Sequence, residues 1–121
     1  MPLNKILVVE DDPVQVLRLC DVLKATNAEL IVASNGRQAI EKAESEMPDL
    51  IFMDIVMPDV DGFSACRQIT QSDKTKDIPV VVVSSKNQDA DKVWAQLQGA
   101  RAVVGKPYTE EDILEQVRAY E

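Results

Sequence analysis

Nine residues constrain the fold of this chain more than any others: Leu50-Ile51-Phe52-Met53-Asp54-Ile55-Val56-Met57-Pro58. Four apolar residues run unbroken into a carboxylate, and a Pro-, Asp- and Gly-containing turn follows (Pro58, Asp59, Asp61, Gly62). An unbroken apolar run of this length is the pattern of a strand covered on both faces, as in a parallel sheet. Asp54 then stands at the carboxyl end of that strand, where open α/β sheets place their ligands. A charge there is costly unless it is paired or metal-bound. What neutralises Asp54 is therefore the first question this sequence poses.

The remaining segments repeat the strand-then-helix pattern. Residues 4–9 read as a first strand, closed by Glu10-Asp11-Asp12 and Pro13. Asp12 is a natural N-cap and proline suits the first helical turn. The helix predicted there runs to about Thr26, with Val16, Leu19, Cys20 and Leu23 on one face. Residues 30–34 form a second strand. Asn35-Gly36 make a turn, and Ala39, Ile40, Ala43 and Met47 have helical spacing up to Pro48. After the third strand, 50–54, a helix over 62–72 turns Phe63, Cys66 and Ile69 inward. A fourth strand ends at Ser84. A helix over about 88–98 places Ala90, Val93, Trp94 and Leu97 on one face, with Gly99 at its end. Residues 102–104 are a short fifth strand before Gly105-Lys106-Pro107. The last helix opens with Thr109 and Asp112 in a capping-box-like spacing and buries Ile113, Leu114, Val117 and Tyr120. Five strands alternating with five helices predict a flavodoxin-like, doubly wound parallel sheet in the order 2-1-3-4-5, with the switch point between strands 1 and 3.

Composition narrows the chemistry. The chain has 121 residues, read as one domain over 1–121 with no output domain, and 45% are apolar. No apolar run approaches the roughly 20 residues of a membrane span, and the first residues lack a signal-peptide pattern, so no membrane association and a cytoplasmic location are expected. There is no histidine, which removes Ser-His-Asp and Cys-His catalysis and ordinary zinc sites. Cys20 and Cys66 fall in predicted helices without metal-ligand spacing and read as buried free thiols. A net charge of −8 argues against nucleic acid as a direct partner and suits the binding of cations or basic surfaces.

The predicted topology gathers chemistry at one end of the sheet. Strand 1 delivers Glu10, Asp11 and Asp12, strand 3 delivers Asp54, strand 4 Ser84 and strand 5 Lys106. Taken singly, each has an ordinary reading: a helix cap for Asp12, solvated loop acids for Glu10 and Asp11, a strand-end hydroxyl, a surface lysine. Together they converge. Like charges held a few ångströms apart need compensation. A hard cation such as Mg²⁺ supplies it with one or two carboxylates, carbonyls and waters. Carboxylates, a cation, a lysine and a hydroxyl around a central aspartate suit phosphoryl transfer, with the aspartate as covalent acceptor. No glycine-rich nucleotide cradle is present.

The stretches Ile6-Leu7-Val8-Val9-Glu10-Asp11-Asp12-Pro13, Asp54-Ile55-Val56-Met57-Pro58 with Asp61-Gly62, Val83-Ser84-Ser85 and Gly105-Lys106-Pro107 resemble those of a bacterial response-regulator receiver domain of the chemotaxis Y-protein type. The resemblance implies that Asp54 accepts a phosphoryl group from a histidine kinase or phosphotransfer protein. It implies a Mg²⁺ site made by Asp11 directly, Glu10 through water, Asp54 and the backbone carbonyl of Val56. Ser84 would move onto the phosphate and Lys106 would pair with it, with a cis Lys106-Pro107 bond. Output would pass to a downstream protein target through the surface of helix 4, strand 5 and helix 5. The sequence departs from the family at Val103, where an aromatic switch residue is usual. Trp94, Val103 and Tyr108 are the candidate partner-surface residues. Val56 and Lys86 occupy positions that tune hydrolysis in the family, and an apolar Val56 implies a long-lived phosphoryl group. The segment Ser84-Ser85-Lys86-Asn87-Gln88 with Trp94 and Gln98-Gly99-Ala100 resembles receivers of type IV pilus and twitching-motility systems.

Three other functions compete. A pseudo-receiver would bind partners without phosphate. An aspartyl-phosphate phosphatase would need a second acid where Val56 stands. A flavin carrier would need a Ser/Thr/Gly-rich loop where the three acids stand.

Overall fold

In the computed structural model, residues 2–55, 62–85 and 88–121 are described. Five strands form one parallel sheet: β1 (Lys5–Val9), β2 (Glu29–Ala33), β3 (Leu50–Met53), β4 (Val80–Ser84) and β5 (Ala102–Gly105). Their order is β2-β1-β3-β4-β5, as the alternating pattern predicts. The helices are α1 (Pro13–Leu23), α2 (Gly36–Glu46), α3 (Gly62–Gln71), α4 (Asp89–Leu97) and α5 (Glu110–Ala119), with a 3-10 turn over Lys24–Thr26.

Alternating side chains of the strands feed two cores. On one face Ile6, Val8, Leu50, Phe52, Val81 and Val83 meet Leu19 and Leu23 of α1 and Ile113 and Val117 of α5. On the other, Leu7, Val9, Ile51, Met53, Val80 and Val82 meet α2, α3 and Ala95 of α4. Every residue of β3 is buried, because both faces of a central parallel strand are covered. Phe52 is the largest fully buried side chain.

The caps follow the sequence closely. Asp12 accepts from the Val14 amide at 3.0 Å and opens α1. Asn35 caps α2 by accepting from Gln38 N at 2.8 Å, so Gly36 is the first helical residue rather than part of a free turn. Thr109 and Asp112 form the capping box of α5. Gly99 ends α4 with φ at +98°, a conformation that favours glycine, and a Cβ there would strike the Thr70 side chain.

Two expected packing faces are corrected. Met47 does not continue the inner face of α2: it is the C-cap, in a left-handed conformation, and half exposed. The larger correction concerns α4. Val93, Trp94 and Leu97 are 56%, 52% and 68% exposed, and Ala90 is exposed as well. The inward positions are Ala95 and Gln98, with Asp91 half-buried. Successive helical residues differ by about 100° around the axis, so choosing the stripe through Ala95 turns the Trp94 stripe to the outside.

Candidate functional site: a carboxylate cluster at the sheet switch point

The register of the central strands builds the site. Val9 pairs with Met53, so the residues that follow them, Glu10 and Asp54, emerge side by side. Backbone bonds lock the two exits: Asp54 N donates to Val9 O at 2.9 Å, and Glu10 N to Ala33 O at 3.0 Å. Ser84 pairs with Gly105, and Lys106 N donates to Ser84 O at 3.0 Å, which brings the fourth and fifth strand ends to the same place. The Lys106–Pro107 peptide bond is cis. Gly62 closes the segment after Asp54, donating from its amide to Ile55 O at 3.0 Å. A Cβ on Gly62 would overlap the Ile55 backbone and the Asp54 carbonyl, so only glycine fits.

One oxygen from each of Glu10, Asp11 and Asp54 lies within 4.8 Å of the others. Lys106 enters from the opposite side. Its Nζ stands 3.4 Å from Glu10 Oε1 and 3.2 Å from Asp54 Oδ2. Asp11 is exposed, whereas Glu10 is only 5% exposed. With Glu10 ionised, its Oε2 has no hydrogen-bond donor among the described residues. Burial pushes the Glu10 carboxyl up to about 8. The adjacent Asp54 adds to the rise, by hydrogen-bonding the protonated form and repelling the charged one, and Lys106 opposes it.

That orphaned buried oxygen, in a set of three oxygen donors, fits a hard divalent cation. A cation there would satisfy the orphan, offset the crowded charge and leave coordination positions open toward the cleft. The open cleft beside it, about 420 Å³, is lined by Gln15, Arg18, Asp54, Ser85, Lys106 and Tyr108.

The remaining predicted residues divide. Ser84 is fully buried at the end of β4, beside the cluster. Asp12 is a cap. Val103 is half-buried and packs on the sheet core. Tyr108 is half-buried, packed against the core under α1 and α5, and burial raises its phenol above the ordinary value. Trp94 is half exposed, with its ring edge-to-face against Phe63 of α3 rather than in the core. Val56 and Lys86 lie outside the described residues. Cys66 is a free thiol pushed up to about 12 by burial, and Cys20 is free and half-buried.

Gln15 is a site residue that the sequence did not single out. Its Oε1 accepts from Lys106 Nζ, and its Nε2 donates to Asp12 Oδ2 at 3.2 Å. The Asp12 acceptor orients the amide so that its oxygen faces the lysine. The only available signal was spacing: Gln15 lies one turn beyond Asp12, on the same face of α1.

Residues 6–118 match the family described as response regulator receiver domain. The chain is 41% identical over 115 residues to Protein PilH of Pseudomonas aeruginosa, covering 95% of each chain. It is 30% identical to Protein PilG of the same organism, covering 96% of this chain and 86% of that one. It spans about half the length of several other curated relatives. Among solved structures, it superposes with a TM-score of 0.89 on the receiver domain of the sensor histidine kinase PA1611 of Pseudomonas aeruginosa. The identity is 25%, over 97% of this chain and 96% of that one. That structure has a magnesium ion coordinated in its active site cleft.

Proposed function

The chain belongs to the response regulator receiver domain family of two-component signalling proteins, and we propose that within it Asp54 is the phosphoacceptor of a Mg²⁺-dependent switch. The observation that carries this reading is the buried Glu10 beside Asp11, Asp54 and Lys106, with its unsatisfied oxygen at the sheet switch point.

The chain's own residues would divide the work as follows. The Asp54 carboxylate attacks the phosphorus of a phosphohistidine on a kinase or phosphotransfer protein. A P–O bond forms, the P–N bond breaks, and the electron pair returns to the imidazole nitrogen. Lys106 Nζ, already 3.2 Å from Asp54 Oδ2, holds one equatorial oxygen as negative charge spreads over the phosphoryl group. Gln15 fixes Lys106 at that distance. The Ser84 hydroxyl donates to another oxygen. Glu10, Asp11, Asp54 and the Val56 carbonyl would hold Mg²⁺, which neutralises the phosphoryl charge when bound.

The output is a protein contact made by the switched surface, and the downstream target is a protein. We place the pathway in control of pilus motility or taxis, a reading supported by the similarity to PilH and PilG. A single experiment separates the switch from a pseudo-receiver. Incubation with a small phosphoramidate donor and Mg²⁺ should add one phosphoryl mass to the protein and none to Asp54→Asn. Absence of that gain in the unmodified chain would favour the pseudo-receiver.

A further inference from the structure

We propose that the valley between α3 and α4 is a docking site for an acidic, amphipathic helix of a partner protein. This surface is separate from the carboxylate cluster, and its occupancy does not depend on Asp54.

The valley has apolar anchors at helical spacing. Phe63 of α3 meets Trp94 of α4 edge-to-face, with ring centroids 6.2 Å apart and planes at 86°. Half of Trp94 and two thirds of Leu97 face solvent. The two residues are one turn apart, which matches the i, i+3/i+4 anchors of a helix laid into a groove. A row of large exposed side chains on a helix of nine residues is the kind of patch that marks an interaction surface.

The walls are held together without those side chains. Thr70 Oγ1 donates to Gln98 O at 2.9 Å, and Cys66 Sγ contacts the same carbonyl at 3.4 Å. Ala95 seats α4 on the sheet. Trp94 and Leu97 are therefore not needed to keep α4 in place.

Charge decides the partner. The whole chain carries −8, and α5 opens with Glu110, Glu111 and Asp112. The lower end of the valley is the exception. The segment forming α3, Gly62–Gln71, contains no acid and presents Arg67 one turn beyond Phe63. At the lower end, a cavity of about 350 Å³ is lined by Thr70, Lys76, Ile78, Leu97 and Arg101. Among the described residues, Arg67 and Arg101 take part in no ion pair. Lys76 reaches Asp73 at 3.8 Å, but that aspartate is almost fully exposed and the pair is weak. Asp73 and Asp77 are the acids of the neighbouring loop, and Lys74 lies between them. The upper end of the α4 wall carries Asp89 and Asp91 against Lys92. The positive part of the valley is therefore its lower end, where Lys76 and Arg101 line the cavity with no acid among its lining residues and Arg67 lies on the α3 side. Such a local reversal of sign steers an acidic partner to this face and away from α5.

The test uses two synthetic helical peptides with the same leucine stripe, one with Glu and one with Lys at its polar positions. Trp94 is the sole tryptophan of the chain and reports contact directly. The Glu peptide should bind saturably, shift Trp94 emission to the blue, and bind at least about tenfold more tightly than the Lys peptide at low salt. Asp54→Asn should bind it equally well. The pair Lys76→Glu and Arg101→Glu should reverse the order of the peptides, and Leu97→Ser should weaken the Glu peptide about threefold to tenfold. Both sets lie on the surface, and unchanged thermal melting would show that they fold. Tighter binding of the Lys peptide, or indifference to the charge reversal, would overturn the proposal. So would a concentration-dependent dimer that buries Trp94 without peptide, which would assign the face to a second copy of this chain.

Discussion

The two ends of the sheet are made from similar side chains and behave in opposite ways. At the amino-terminal end, Asp49 accepts from the Asn4 and Lys5 amides at 2.7 and 3.1 Å. Lys5 in turn reaches Glu46 at 3.3 Å and Glu29 at 4.0 Å. These groups are solvated, each acid has a donor, and they tie strand starts together. At the carboxyl-terminal end, three acids again gather and two of them pair with one lysine, but Glu10 is buried and, when ionised, one of its oxygens has no described donor. The first arrangement is a staple. The second stores an unfavourable charge balance that a cation can relieve. Polar groups left unsatisfied in an otherwise consistent fold are where function is expected.

Substitutions at the two ends should therefore move different observables. Asp54→Asn should abolish phosphorylation, read as mass gain, while changing the melting temperature of the metal-free protein little, because the lost pairing with Lys106 is offset by removal of a carboxylate crowded against Glu10. Asp49→Ala should do the reverse. Loss of its two amide acceptor bonds should cost about 1–2 kcal/mol in denaturant unfolding, with phosphorylation unaffected. A clear loss of stability in Asp54→Asn without Mg²⁺ would erase the contrast between the two ends.

The pH dependence sharpens it. The folded-state pKa of Glu10 is raised, from 4.5 to about 8. The native state therefore holds a proton that the unfolded chain releases, so the Glu10 contribution to metal-free stability should be greatest on the acid side. It should fall as pH rises from 4.5 through about 8. A cation must displace that proton. Apparent Mg²⁺ affinity, followed by calorimetry, should rise with pH up to about 8 and then level off. Glu10→Gln should remove both trends, and persistence of either would place the titrating group elsewhere.

Gln15→Leu should slow phosphorylation by the phosphoramidate several-fold through a misplaced Lys106, about 1 kcal/mol on the barrier. Its melting temperature should change little, and Gln15→Glu should retain the acceptor and much of the rate. The smallest effect belongs to the solvated end: Lys5→Met should change stability by no more than about 0.5 kcal/mol, since its ion pairs are substantially exposed.

Much of this was legible in the chain. Unbroken apolar runs such as Leu50–Met53 and Val80–Val83 identify strands covered on both faces. Asp12 with Pro13, and Thr109 with Asp112, mark helix starts through local hydrogen bonding that needs no tertiary partner. Strand order then follows from the alternation of elements, and with it the meeting of Glu10, Asp11, Asp54, Ser84 and Lys106. The misses share a cause. The α4 segment has two stripes that could face inward, and periodicity favours the one with larger apolar residues. The sheet instead accepts Ala95, and Gln98 O is held by Thr70. Met47 had the right spacing for α2 but lies beyond the point where the helix ends. Gln15 is not marked in the sequence, because a glutamine on an amphipathic helix has no distinctive local signal.

By itself the sequence determined the five-strand alternation, the helix caps and the placing of acids and lysine at strand ends, since each depends on local pattern and chain connectivity. Tertiary structure alone decided which carboxylate was buried, which amide held Lys106 and which face of α4 met water. Those outcomes depend on competition for space and hydrogen-bond partners among segments far apart in the chain, and no local pattern records who wins it.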